Sequence, residues 1–388
     1  MIHSLYFHAR MKTITALLAI LLLLEYAGAH AAPFTDTTLI ADNRQQTRLD
    51  SLVQTAASAY MQHPHANSLS IGIVQNGHVY FYNYHKGAGA LPTSESVYGI
   101  GSVAKVFLCS MAARAVVASR LQLNEDIRKY LPGKYPNLVY RQQPVRVVHL
   151  ANHTSAMPGM SRTYADAYLD SVLKLDPQRF GDWYRAYTAD SLIKDMHHFV
   201  LDTVPGTKLR YNGNGMMVLM AIMEKVYHQP YETLLTQFLR DSLNMHDSRL
   251  TLYAAQQDRV VQGYDENGKA LPFIVDKGFR AAPSLLSTAA DMVKFIQWNL
   301  NEHNSAVQLA HTTTFKDADT ELGLGWFKGI DAQQHHYLLH SGHEGTGFNS
   351  ICVLYPANNT GIVILVNEIT GQDRVNDLKD KLAEGLME

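Results

Sequence analysis

The stretch Gly99-Ile100-Gly101-Ser102-Val103-Ala104-Lys105 opens an apolar run that continues to Val117. A Gly-x-Gly turn followed by small and apolar residues reads as the start of a buried helix, with Ser102 in its first turn. A lysine three residues after a serine lies one helical turn away on the same face. A serine hydroxyl is a weak nucleophile until a neighbour takes its proton, and a lysine whose charge is disfavoured by burial can take it. Backbone amides at a buried helix start also suit a developing oxyanion. Ser-x-x-Lys alone is common. Ser171–Lys174 and Ser191–Lys194 repeat it inside polar helical stretches, where exposed helix faces are expected.

Two further segments complete the pattern. Tyr211-Asn212-Gly213-Asn214 follows the Val204-Pro205-Gly206 loop and precedes the apolar run Met216–Val226. A tyrosine beside a Ser–Lys pair is a second proton carrier. Tyr135-Pro136-Asn137 has a similar form but sits in a Pro-containing loop and reads as a surface turn. His340-Ser341-Gly342 ends an expected strand. Its glycine permits close backbone approach, and its histidine suits a substrate carboxylate or the tuning of the tyrosine. His335, His336, His340 and His343 cluster in sequence, yet their spacing fits no standard zinc pattern, so no metal is expected. The chain has no Gly-x-Ser-x-Gly elbow, no His-Glu-x-x-His helix and no Gly-rich phosphate loop.

Working outward, Ser70–Val74 and His78–Tyr84 alternate as two strands around an Asn76-Gly77 hairpin turn. A helix is expected before them, with Leu49, Leu52, Val53 and Ala56 on one face. From Leu121 to about residue 280 the pattern is mostly helical. Ser287 is expected to cap a helix over Thr288–Leu300, with Asp291 in its first turn. Strands return at Leu322–Phe327, His336–His340, Phe348–Tyr355 and Gly361–Val366, and an amphipathic helix closes the chain from about Gln372. Strands at both ends with helices between them give an α/β (α+β) fold: an antiparallel sheet flanked by helices plus an inserted, mostly helical lobe.

The whole chain has 388 residues and 46% hydrophobic content, enough for a large core. Its 33 Lys+Arg nearly balance 35 Asp+Glu, which gives no electrostatic case for nucleic acid or an anionic membrane surface. Arg10, Lys12, the apolar run Ile14–Leu24 and Ala29-His30-Ala31 read as a signal peptide over residues 1–32. The run is shorter than the roughly 20 residues a spanning helix needs, so no membrane span is expected after its removal. The expected location is the periplasm. The two cysteines, Cys109 and Cys352, exclude a disulfide framework and read as isolated buried thiols.

In order and context these segments resemble the serine β-lactamase-related superfamily, in the branch of class C β-lactamases, D-Ala-D-Ala carboxypeptidases, D-aminopeptidases and β-lactamase-like esterases. The resemblance runs from about Ser68 to Asn367. It includes Leu123–Ile127 with Tyr130-Leu131-Pro132, and Leu150-Ala151-Asn152-His153-Thr154-Ser155. Leu286–Met292, Gly323-Leu324-Gly325-Trp326, Tyr355-Pro356 and Ile364–Asn367 also match. It implies a single catalytic domain over 33–388, with an α/β lobe at about 45–118 and 285–388 and a helical lobe at about 119–284. Ser102 would be the acylated nucleophile, Lys105 its proton partner and Tyr211 the general base and acid. His340-Ser341-Gly342 would be the strand beside the acyl group, and the N–H groups of Ser102 and His343 the oxyanion hole. The implied activity needs no cofactor. It is hydrolysis of a small-molecule or peptide substrate, a cell-wall peptide or a β-lactam among them, with carboxypeptidase or D-amino-acid peptidase action favoured over β-lactamase or esterase action.

The family pattern Tyr-x-Asn has Gly213 at its third position here, and Asn212 or Asn214 is left to reach the site instead. That departure is also the one support for a non-catalytic binding protein of the same fold. Ala156 stands where a glycine is usual. Trp183, Tyr184, Tyr187 and Phe279 are expected to line the substrate loops.

Overall fold

Alternating residues around Asn76-Gly77 build the first hairpin. Ser68–Gln75 (β2) and His78–Lys86 (β3) pair antiparallel, and Asn76 and Gly77 both take positive φ, 52° and 83°, as the tight hairpin turn requires. The structure, a computed structural model, describes residues 38–87, 89–159, 188–273, 285–369 and 371–388. The expected signal segment, Ser171–Lys174, Trp183, Tyr184, Tyr187 and Phe279 lie outside the described residues.

The hairpin joins a nine-stranded antiparallel sheet. Its other strands are β1 (Leu39–Ala41), β4 (Phe315–Lys316), β5 (Glu321–Leu322), β6 (Phe327–Ile330), β7 (His336–Glu344), β8 (Phe348–Tyr355) and β9 (Thr360–Val366). Their spatial order is β1-β3-β2-β9-β8-β7-β6-β5-β4. β9 is central and buried along its whole length. Side chains alternate across a strand. Val363 and Leu365 therefore join one core while Ile362, Ile364 and Val366 join another.

Each core has its own helices. On one face α1 (Arg48–Met61) contributes Val53, Ala57 and Tyr60, and the C-terminal helix (Gln372–Met387) contributes Val375, Leu378 and Leu382. A reciprocal Thr47–Asp50 capping box starts α1: Asp50 N–H donates to Thr47 Oγ1 and Thr47 N–H to Asp50 Oδ2, both at 3.0 Å. On the other face lie α2 (Ala104–Val117) and the helix Ala289–Leu300, which supplies Met292, Phe295 and Ile296. That core continues without a break into α4 (Gly213–Tyr227), beside the short α3 (Val147–Ala151). α2 is apolar on nearly every side because nearly all of it is covered, with Arg114 and Val117 the exposed residues.

Three local expectations are corrected. The helix Ala289–Leu300 is capped by Thr288, whose Oγ1 accepts from Asp291 N–H at 3.1 Å. Ser287 is drawn instead into a two-residue ladder, Leu286–Ser287 against Tyr98–Gly99. The stretch Leu322–Phe327 is not one strand: between β5 and β6 the chain dips inward so that Leu324 and Trp326 are fully buried. Tyr135 is no surface turn either. It is 2% exposed, its hydroxyl donates to Ile193 O at 3.1 Å, and its ring stacks on His197. Both cysteines are buried and free, as expected.

The sheet meets the serine turn where β7 crosses residues 100–102. A Cβ at Gly101 (φ 50°) would sit 2.7 Å from His343 N, and a Cβ at Gly342 would overlap Ile100 O and Ser350 Oγ. Backbone lies on backbone here, and only glycine fits. Gly342→Ala is expected to cost about 1–3 kcal/mol of stability. Gly345→Ala, which meets nothing within 4 Å, should stay within about 0.5 kcal/mol of the parent in the same thermal denaturation.

Candidate active site

Ser102 sits in a 3-10 turn, Gly101–Val103, just ahead of α2 rather than inside its first turn. The approach to it is tied down: Gly99 pairs with Leu286, and Ile100 N–H donates to Leu285 O at 3.1 Å. Lys105, one turn on, is 2% exposed, and its Nζ lies 2.8 Å from Ser102 Oγ. Among the described residues that is the one hydrogen bond of the amine. Burial pulls Lys105 down from the ordinary 10.5 to about 8. About a tenth of it is therefore neutral at pH 7 and able to accept the serine proton, and more as pH rises.

Tyr211 closes over the pair. Its ring centroid is 5.2 Å from Lys105 Nζ, and Ser102 is close enough to act on the phenol's proton affinity. The side chain shows 49% of its surface to solvent, but the hydroxyl end is desolvated. That burial pushes the phenol up to about 12, against the lowering effect of Ser102. Tyr211 thus keeps its proton in the resting site, and Lys105 is the group that can lose one.

The neighbouring asparagines do not substitute for the side chain missing at Gly213. Asn212 caps α4: its Oδ1 accepts from Asn214 N–H at 2.8 Å, and its Nδ2 donates to Met157 O at 2.7 Å and Pro158 O at 3.2 Å. Asn214 Nδ2 also donates to Pro158 O, at 3.0 Å. Both amides hold the turn after Ser155, and neither reaches Lys105 or Ser102. That turn carries Ala156 at φ 59°, a left-handed conformation that costs an alanine strain and a glycine none.

On β7, Leu338, His340 and Gly342 face the α2 side, while Ser341 is half-buried and His343 exposed. His340 is 2% exposed. Its Nδ1–H donates to Ser341 O at 2.7 Å, and its ring lies 6.3 Å from that of Tyr211. Burial, with Lys105 nearby, holds it down at about 3. Burial thus disfavours its charged form, and its ring stands beside Tyr211. The His343 ring meets Asn349 Oδ1 at 2.9 Å, and His335 meets Asp331 at 3.1 Å. The sequence cluster therefore scatters, and among the described residues no group of three or more His, Cys, Asp or Glu could hold a metal.

His153 is the residue to which the sequence reading gave no role. It is 1% exposed and packs against Tyr211, the rings tilted by 37° with centroids 4.4 Å apart. Its place in Leu150–Ser155 was visible, but its partners are far along the chain. Beyond Tyr211 a groove of about 760 Å³ opens, lined by Met157, Pro158, Val200, Lys208 and Arg210 among others. Arg210 is paired with Asp202 at 2.6 Å.

The sequence profile of the family described as Beta-lactamase matches residues 53–386, and the chain belongs to that family. It is a serine hydrolase of the β-lactamase-related superfamily. A Beta-lactamase of Lysobacter lactamgenus is 23% identical over 365 residues, covering 84% of this chain and 88% of the relative. Protein flp of Staphylococcus aureus strain COL is 28% identical over 344 residues, covering 84% of this chain and 64% of the relative. Among solved structures, a class C beta-lactamase superposes with a TM-score of 0.73 at 20% identity, over 88% of this chain and 98% of that one. A beta-lactamase/D-alanine carboxypeptidase from Pseudomonas syringae gives 0.72 at 21%, over 88% and 99%. At these identities the superpositions speak for the fold.

The buried imidazoles make stability depend on pH. His149 (about 4), His153 (about 3) and His340 (about 3) all sit below the ordinary 6.5. The unfolded chain takes up these protons as pH falls from 6.5 towards 4, the fold does not, and stability is lost over that window. Glu368, raised by burial from 4.5 to about 7, has the opposite sign: it gains the fold stability as pH falls from 7 to 4.5 and offsets one imidazole. Each group is worth up to about 1.4 kcal/mol per pH unit. The melting temperature should fall from pH 6.5 to 4.5, and His340→Gln should flatten that slope.

Proposed function

We propose that this chain hydrolyses peptide-like amide or ester bonds through an acyl-enzyme on Ser102. The observation that carries the reading is the 2.8 Å contact between Ser102 Oγ and the amine of a buried Lys105, with the Tyr211 ring 5.2 Å from that amine. Neutral Lys105 takes the Ser102 proton as Oγ bonds to the substrate carbonyl carbon. The N–H groups of Ser102 and His343 receive the oxyanion in this proposal, a pairing supported by the close approach of His343 to residue 101. Tyr211 gives its proton to the leaving nitrogen or oxygen and recovers one from Lys105. Water then repeats the sequence and releases the acid. Ser341 and Gly342 lie along the bound acyl chain. One two-lobed domain over 33–388 does this work in the periplasm, after removal of residues 1–32.

Within that chemistry we favour a D-Ala-D-Ala carboxypeptidase or D-amino-acid peptidase type of reaction. The groove beside Tyr211 supports it, because it is large enough for a peptide and carries Lys208 for an acidic group, Arg210 there being paired with Asp202. The resemblance of fold to the Pseudomonas syringae protein whose title joins both activities is consistent with it. One observation favours a second reading, a carboxylesterase. With burial disfavouring charge on His340 and with no side chain on Gly213, neither residue offers a charge to a leaving group.

Intact-mass measurement with a penicillin, a D-Ala-D-Ala peptide and a p-nitrophenyl ester separates these. An adduct of one penicillin mass, absent in Ser102→Ala, supports the nucleophile assignment, and parent-level turnover in that variant would sink it. Peptide turnover favours the carboxypeptidase and ester turnover alone the esterase.

The acylation rate should rise with pH through about 8, where Lys105 loses its proton, and level off above. Lys105→Arg, which stays charged, should abolish acylation. Tyr211→Phe should slow it by about 10²–10⁴-fold. A rate flat from pH 6 to 9 would remove Lys105 as the base.

A further inference from the structure

To carry a proton for Ser102, Tyr211 must present its hydroxyl from a loop ahead of α4 while about half of the residue is open to solvent. A half-exposed aromatic on a loop gains little from burial and retains rotamer freedom unless something fixes it. His153 meets the segment at three successive residues. Its backbone oxygen accepts from Arg210 N–H at 2.8 Å. Its Nδ1 accepts from Asn212 N–H at 3.2 Å. Between those two bonds its ring lies on the Tyr211 ring, centroids 4.4 Å apart and planes 37° from one another. The next residue extends the same clamp, since Thr154 O accepts from Gly206 N–H at 2.7 Å.

The local backbone is shaped for this. His153 has φ 59°, uncommon for a side chain of this size, directly after the end of α3. That conformation turns its carbonyl and its ring towards the same neighbouring strand of chain. Because Nδ1 accepts from a backbone N–H, the imidazole is neutral and carries its hydrogen on Nε2, which is buried and has no hydrogen-bond partner among the described residues. Such an orphan is a cost that a residue chosen for packing alone would not bring.

We infer that His153 is a positioning residue that sets the ring of Tyr211, and with it the phenol oxygen, over Ser102. The inference rests on the reading of Tyr211 as a proton carrier. His153 touches neither Ser102 nor the substrate, and acts through Tyr211.

The test is a double-mutant cycle on the full mature chain, read as the rate of acylation at Ser102 by a fluorophosphonate probe followed by mass. His153→Asn keeps a hydrogen-bond acceptor and tolerates positive φ, but loses the ring. His153→Ala loses both. Acylation is expected to fall at least tenfold in the Asn variant and further in the Ala variant, with the probe concentration for half-maximal rate within twofold of the parent. In a Tyr211→Phe background His153→Asn should cost less than twofold, because the hydroxyl it positions is gone. An undiminished penalty in that background, or parent-rate acylation by His153→Asn, overturns the inference. If the Asn variant does not fold, His153→Gln takes its place. The failure of the underlying reading looks different: the parent is not acylated, or Tyr211→Phe reacts like the parent. The ¹³C-tyrosine ring resonance that disappears in Tyr211→Phe then decides the positioning claim alone. It shifts in His153→Asn if the claim is right and stays put if it is wrong.

Discussion

Lys105 carries its amine in a place where charge is poorly solvated, and much of the site follows from that. Lys194, in the other described Ser-x-x-Lys segment, lies exposed on its helix. The same side chain inside α2, walled by apolar residues on both sides, gives up part of its claim on the proton and lies against the one hydroxyl within reach. The burial is possible because α2 runs between the sheet and the helices that follow it. The chemistry of the serine is thus a consequence of where the most apolar helix had to go.

The second constraint is steric. β7 lies on the turn that carries Ser102 with no side chain between the two backbones, and Gly101 and Gly342 are the residues that allow it. This contact fixes the height of the serine against the strand. His340 belongs to the same strand, buried and neutral, and adds shape beside Tyr211 rather than charge.

Much of this was legible in the residues. Alternation and an Asn-Gly turn declare a hairpin, and β8 and β9 are apolar runs of the length a doubly covered strand needs. Ser102, Lys105, Tyr211 and His340 stand in short segments whose order is informative, and the fold brings all four together. What could not be read depends on distant covering or on backbone contacts. Tyr135 looked exposed because nothing near it in sequence says that residues 189–199 cover it. The destinations of Asn212 and Asn214 depend on which carbonyls the turn at Met157–Pro158 offers to the start of α4. His153 reaches Tyr211 through backbone groups at residues 210 and 212, which leave no trace in side-chain pattern. The cap at Thr288 fell one residue from the expected place because Ser287 was needed in a ladder with Tyr98.

The apolar cluster on the α2 side runs without a gap from β9 through α2 into α4. Asp291, in the first turn of its helix, adds a polar tie by accepting from the backbone N–H of Asp247 and from the hydroxyl of Ser248. The cleft that holds the serine is therefore not a seam along which the molecule comes apart. Heating should dismantle both walls of the site in one cooperative event, with no warm intermediate that keeps a folded sheet beside a melted helical part. For such a molecule, tolerance to heat and retention of the catalytic geometry are the same property.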